Sequence, residues 1–413
     1  MLESSDKKRN VLCTLFFLST CLLFVMTGLD RMVYPFLYLS ALLGVCLLYT
    51  DRKRVNWRGG ALWLPFPFLL YTALTPGLWF KDLPVADTMF SAYVIGVVSA
   101  FFFPEKYWRF VLCLAVTLTG TLGLYMVLGF PVEMTVDNRL VLFLHHPNVM
   151  ASVASWCVLF FCATYKTFSR KEKIALAALL LPCVLALGLS VGRSAYIGFI
   201  AAVFFLGCTI WKKQLVRIVL VLLVLCSMTY ALLPEQQQHR MLSAVQNPLE
   251  DATFKSRIPI WMVVCDGIEN SPWLGNSARG FFAQHKKYIT EHKEALERDH
   301  PYTENTIGHP HNTYLGIVYV YGIVGTLLFF VAFVPAVRQA WRVQDLFFLS
   351  VVVFYLGFGL LEYGLHRKDG ILMLFFPLGL VYGRALLQAS QGHLPRTTDH
   401  ERGGEAKQGF SGA

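Results

Sequence analysis

The chain has 413 residues, 55% of them hydrophobic and only 15% charged, with a formal net charge of +10 and a mean hydropathy of +0.52. Soluble domains carry about a quarter charged residues and keep long apolar runs for rare core helices, so this composition excludes a globule surrounded by water. The Lys and Arg residues punctuate the gaps between apolar runs rather than forming one patch, which argues against nucleic-acid binding and for membrane topology.

Only a helix satisfies its own backbone in lipid, and roughly 17–25 apolar residues cross a bilayer. The opening MLESSDKKRN and the run after it resemble a signal peptide, but no small-residue cleavage site follows. Residues 11–28 therefore read as a retained first helix. Further spans are expected at 32–50, 61–79, 88–103, 109–129, 147–165, 174–191, 195–211, 217–233, 313–337, 345–361 and 371–388. The expected fold is all-α, a polytopic membrane helical bundle of about 12 transmembrane helices.

Lys and Arg orient these spans. With the N-terminus inside, segments 1–10, 51–60, 104–109, 166–173, 212–217 and 338–342 face inward and carry 18 Lys and Arg. The short outer loops carry six: Arg31, Lys81, Arg139, Arg193, Arg367 and Lys368. That asymmetry predicts both ends inside. Residues 234–312 break the rhythm with 79 residues on the outer side, including eight Lys/Arg, ten Asp/Glu and six of the eleven histidines. A connection this long usually has a function. The expected organisation is 1–233 as transmembrane helices 1–9, 234–312 as a mostly helical periplasmic loop subdomain, 313–388 as helices 10–12, and 389–413 as a disordered cytoplasmic tail. Nine of the ten cysteines lie in apolar runs and Cys265 has no partner in its loop, so neither a disulfide framework nor a zinc site is expected.

Four places could carry chemistry. Arg193, in SVGRSAYIGF, is the only charged residue between 174 and 211, at a depth where a guanidinium must snorkel or find an anion. Arg257, in KSRIPIWMVVCDGI, lies beside an amphipathic piece with Trp261; its planar fork suits a phosphate, although a solvated loop arginine would look the same. The run His309-Pro310-His311-Asn312 leads into the tenth span. There an imidazole can take a proton or aim a hydroxyl, and Asn312 can cap the helix. His145-His146-Pro147-Asn148 enters the sixth span in the same way, with Asn148 as a cap or a polar lining residue. His309 and His311 could also bind metal, but no third ligand has convincing spacing in the sequence. No Walker A, GxGxxG, HExxH, GxSxG or DxD motif occurs, so an enzyme here should use a donor that is already activated and resides in the membrane.

Together these pieces resemble the Wzy-C superfamily of O-antigen ligases and polymerases. HPNVMAS is similar to its entry signature, with His146 in place of the first Asn, and SVGRSAYIGF to its arginine segment, shifted by Gly192. SRIPIWMVVCDGIENSPWLGNSARGFF resembles the stretch with its loop arginine and a Pro-hydrophobic-hydrophobic-Gly turn. His311-Asn312, nine residues, then Gly322-x-x-Gly325 matches the ligase pattern H-N-x9-G-x-x-G. The resemblance implies a GT-C-like glycosyltransferase of the bacterial inner membrane, with its active site facing the periplasm and no metal or other cofactor. It implies a donor glycan on undecaprenyl pyrophosphate and a sugar hydroxyl of lipid A-core as acceptor. On this chain Arg193 and Arg257 would hold the diphosphate and His311 would act on the acceptor. Asn312, Asn148 and His146 would help bind substrate. A polymerase using the same donor is the nearest rival. A transporter is the other, but the long segment follows the ninth span rather than the sixth, and no half-repeat is visible.

Overall fold

The computed structural model describes residues 2–26, 33–57, 60–74, 83–103, 116–123, 146–210, 235–247, 252–276, 280–299 and 309–391, with a few isolated positions between 212 and 231. In chain order the helices begin with α1 (Leu2–Met26), α2 (Val33–Thr50), α3 (Phe66–Leu74) and α4 (Leu83–Phe102). Next come α5 (Pro147–Thr164), α6 (Arg170–Ser190) and α7 (Arg193–Ile210). The long polar segment folds as α8 (Glu235–Gln246), α9 (Ala252–Lys255), α10 (Arg257–Asn270), α11 (Phe281–Glu291) and α12 (Lys293–Asp299). Three helices complete the bundle: α13 (Thr313–Arg342), α14 (Leu346–Phe358) and α15 (Lys368–Gln391).

Among the described residues there is no strand, and eight helices are long and apolar enough to cross a membrane: α1, α2, α4, α5, α6, α7, α13 and α15. The expected all-α polytopic bundle is therefore the fold. Helix α14 is apolar but shorter, at 13 residues, and α3 covers nine residues of the span expected at 61–79. The spans expected at 109–129 and 217–233, and the tail beyond Gln391, fall largely or wholly outside the described residues.

Helices α4, α5 and α15 are buried along most of their length and form the centre. The peripheral helices turn Leu42, Ile174, Ile200, Phe204, Leu327 and Phe330 outward, as expected where lipid is the solvent. Without a hydrophobic drive between helices in lipid, close backbone approach supplies much of the packing. Gly96 of α4 meets Gly379 of α15, Gly383 of α15 packs on Val97, and a Cβ on Gly379 would overlap the carbonyl of Tyr93. Trp156 of α5 donates its ring N–H to the Met373 carbonyl at 3.2 Å, tying the third central helix to the other two.

The two ends of the bundle differ. At one end Arg384 pairs with buried Asp345 at 3.1 Å, and Asp345 caps α14 by accepting from the Phe348 N–H. The turn after α2 reaches the same end, where the Asn56 N–H donates to Ser390 Oγ at 3.0 Å, and Arg9 of α1 lies 3.9 Å from Asp51. Arg9, Asp51 and Asn56 belong to segments whose charge assigned them to one side. The opposite end gathers the start of α5, the start of α13, the exit of α14 and the start of α15.

The glycine-rich part of the H-N-x9-G-x-x-G pattern has a structural explanation. Helix α13 is broken at Gly322, with φ 62° and ψ −172°, a region that essentially only glycine occupies. The turn Pro272–Gly275 fills the break: Ile323 and Val324 donate to the carbonyls of Pro272 and Trp273, and Asn276 donates to that of Tyr319. A Cβ on Gly322 would overlap the Trp273 carbonyl. Tyr71 of α3 braces the joint by donating to the carbonyls of Leu274 and Tyr321. Two sequence signatures some fifty residues apart are thus halves of one interlock, which docks the polar segment on the bundle.

Candidate functional site

The site is built where helix α13 begins. Asn312 is its N-cap, accepting from the Leu315 N–H at 2.9 Å, and its amide donates to the Leu360 carbonyl at 3.0 Å. Thr313 donates its N–H to the Gly359 carbonyl at 2.8 Å and its hydroxyl to the Glu362 carbonyl at 2.7 Å. The entry of α13 is therefore stitched to the exit of α14, residue against residue. His311, immediately before the cap, has φ +50°. That left-handed backbone is unusual outside glycine and is held here by the stitching on its C-terminal side.

The stitching brings Glu362 among the imidazoles. His311 Nδ1 lies 3.3 Å and His309 Nδ1 3.5 Å from Glu362 Oε1. The His311 contact is an ion-pair distance without hydrogen-bond alignment. The His309 ring lies 3.9 Å from that of His311 and stacks at 4.1 Å on that of His366. Asn148 Nδ2 donates to the other carboxylate oxygen, Oε2, and the Tyr363 N–H donates to Oε1 at 3.2 Å. The Glu362 side chain is 4% exposed. An anion so buried persists only when paired and hydrogen-bonded, and here it is both.

The electrostatics follow from this geometry. Burial alone would raise the Glu362 carboxyl, but the close approach of His311, followed by His309 and His366 as they gain protons at acid pH, holds it well below the usual range. Burial pushes His309 well below the ordinary imidazole value, assisted by repulsion from His366 and His311. Burial likewise lowers His366 to about 4 against the pull of Glu362. His309 and His366 are thus neutral at neutral pH and Glu362 is charged.

The other predicted residues fall around this cluster. His146 caps α5, its Nδ1 accepting from the Asn148 N–H at 3.2 Å. Arg193 opens α7. Gly192, just before it, packs so closely that a Cβ would lie 2.8 Å from the Ala151 Cβ and 3.3 Å from Asn148 Oδ1. The extra glycine in this motif is therefore what lets the α6–α7 turn reach the start of α5. Arg257 joins less directly. It opens α10, which meets α13 through Gly267 against the Tyr319 ring, two turns beyond His311. The structure thus gathers His146, Asn148, His311 and Asn312 at one point, sets the backbone before Arg193 beside them, and ties Arg257 to them through α10.

Glu362 and His366 were missed in the sequence. One signal was present, because Glu362 ends an apolar run and a carboxylate at the edge of a span carries a high desolvation penalty. Its partners lie 51 and 214 residues away, so spacing could not identify them. The third donor that a metal reading of His309 and His311 lacked is also Glu362: their donor atoms lie within 4.8 Å of one another. As placed, His309 Nδ1 accepts from the His311 N–H at 3.4 Å and Glu362 accepts from Asn148 and Tyr363. Of the three donors, His311 Nδ1 alone is buried without a hydrogen-bond partner.

No curated protein matches the chain. Residues 175–330 match the Wzy_C family, described as O-Antigen ligase. The matched stretch starts within α6, ends within α13 and contains Arg193, Arg257, His311, Asn312 and both glycines of the broken helix. The match covers less than half of the chain, and its location in an all-helical membrane bundle, with the interlock and the imidazole cluster formed around it, supports membership of the Wzy_C superfamily of O-antigen ligases and polymerases.

Proposed function

We propose that this protein is an O-antigen ligase of the bacterial inner membrane. It transfers polysaccharide from undecaprenyl pyrophosphate to a sugar hydroxyl of lipid A-core, at the periplasmic end of the bundle and without metal or nucleotide. The observation that carries this reading is His311 held against a buried carboxylate at the mouth of α13, beside the turn that opens on Arg193. With Nδ1 turned to Glu362, Nε2 is the ring nitrogen left to receive the acceptor proton. The acceptor oxygen forms the new glycosidic bond as the anomeric carbon–oxygen bond to the diphosphate breaks. The proton moves to His311, and the electron pair stays on the departing diphosphate. Arg193 and Arg257 stabilise that developing charge, which guanidinium groups do strongly in a water-poor cleft. Glu362 is the positioning residue of His311, and Asn148 orients Glu362. Asn312, Asn148 and His146 help bind substrate. The segment 234–312 forms the periplasmic subdomain, docked through Gly322, and covers the lipid-linked donor.

Deleting the gene should leave lipid A-core without polymer while lipid-linked polymer accumulates. Complementation with Arg193→Ala, Arg257→Ala or His311→Ala should restore the protein to the membrane but not the transfer. Single repeats still joined to the core in the deletion would instead identify a polymerase, which uses the same donor. Full activity of any one variant would remove that residue from the mechanism.

A further inference from the structure

A cavity of about 240 Å³ adjoins the imidazole cluster and shares His309 and Glu362 with it. Asn148 and Ser152 line it from α5, Tyr355 from α14, and Arg367 and Asp369 from the start of α15. By liquid volume it equals about eight water molecules, room for one monosaccharide ring and little more.

We propose that this cavity seats the sugar ring of the acceptor, with the Arg367–Asp369 pair reading its hydroxyl groups. The proposal rests on the transferase reading above and adds where the acceptor binds. Chemistry selects the occupant. A polyprenyl chain would desolvate Glu362, Asp369 and Arg367 and return no hydrogen bonds. A diphosphate would bring negative charge against two carboxyl groups, while the one guanidinium is already engaged, its Nε 3.4 Å from Asp369 Oδ1; like charges repel strongly away from water. A neutral polyol suits the walls, because each hydroxyl both donates to a carboxylate and accepts from a guanidinium, amide or imidazole. Position agrees as well. A ring seated here reaches His309, whose ring lies 3.9 Å from that of His311, so one of its hydroxyls is presented at the imidazole edge. Because Glu362 forms part of the wall, the same carboxylate that holds His311 borders the sugar.

The test uses the purified full-length enzyme with lipid-linked donor and lipid A-core titrated separately. Asp369→Asn keeps the shape and removes the charge, and Ser152→Leu fills the cavity from α5. Each should raise the KM for acceptor by about ten-fold or more, the loss expected for a hydrogen bond to a charged group, and leave the KM for donor within two-fold. Methyl glycosides at millimolar concentration should compete with acceptor in the natural protein and lose that effect in Ser152→Leu, whereas inorganic pyrophosphate should compete with donor in both. A rise in donor KM alone would assign the cavity to the donor and overturn the proposal. So would unchanged acceptor KM in both variants with natural melting temperatures. If the protein uses another lipid-linked glycan in place of lipid A-core, the ligase reading fails, yet the same titrations with that acceptor still decide the subsite.

Discussion

Replacing Glu362 by Gln tests the centre of the mechanism, because it removes one charge and almost no volume. Two unit charges 3.3 Å apart, the His311–Glu362 separation, attract by about 5 kcal/mol at an effective dielectric of 20. The amide dipole of Gln keeps part of this and can still accept from Asn148 and Tyr363. The net loss to an imidazolium forming in the transition state is then about 2–3 kcal/mol, which corresponds to roughly 30- to 150-fold in rate. The assay is glycan transfer at saturating donor and acceptor, so that kcat is read apart from KM. Glu362→Gln should lower kcat by that factor with the donor KM nearly unchanged, and Glu362→Asp should recover much of the rate because it restores the charge. Natural kcat in a folded Glu362→Gln protein would refute the idea that this carboxylate supports the reacting imidazole. An effect confined to KM would show instead that Glu362 only shapes the substrate pocket.

Acidification should destabilise the protein in a defined window. His366 titrates at about 4 in the folded state against about 6.5 unfolded, and His309 is lowered as well. The unfolded chain therefore binds more protons, and stability is lost as pH falls from about 6.5 toward 4. The depressed Glu362 carboxyl adds a further loss below the ordinary carboxylate range. Melting curves in detergent between pH 7 and pH 4 should fall steadily, and a flat profile would contradict the buried neutral imidazoles. Gly322→Ala should destabilise the protein by about 1–3 kcal/mol from backbone strain alone, before the overlap with Trp273 is counted. A melting temperature equal to that of the natural protein would mean the interlock is dispensable. Chelation with EDTA should leave purified transfer activity intact, whereas a loss reversed by a divalent ion would make His309, His311 and Glu362 a metal centre.

The sequence alone was enough to establish the solvent and most of the architecture. Runs of about twenty apolar residues can only be helices in lipid, and the Lys and Arg between them sorted the connections into two sets. The structure keeps members of each set together at one end of the bundle, Arg9 with Asp51 for example. Local motifs also marked the right places. Asn312 reads as a helix cap and is one, and His146-Pro147-Asn148 reads as a helix entry and is one. Glycine at 322 signalled a special position, although its partner turn at Pro272–Gly275 was not evident from the pattern.

What the tertiary structure decided was which of these pieces meet. Helix periodicity is local and says nothing about which neighbour a helix end will touch, so Glu362 could not be assigned to His311 or Asn148 from spacing. The close approach of α4 to α15 depends on glycines from both helices coinciding in space, and the sugar-sized cavity exists only because the starts of α5 and α15 and the exit of α14 converge. Composition and pattern specify helices and their sidedness because those follow from short-range backbone chemistry and hydropathy. The site depends on side chains brought together by packing, a property of the folded bundle as a whole.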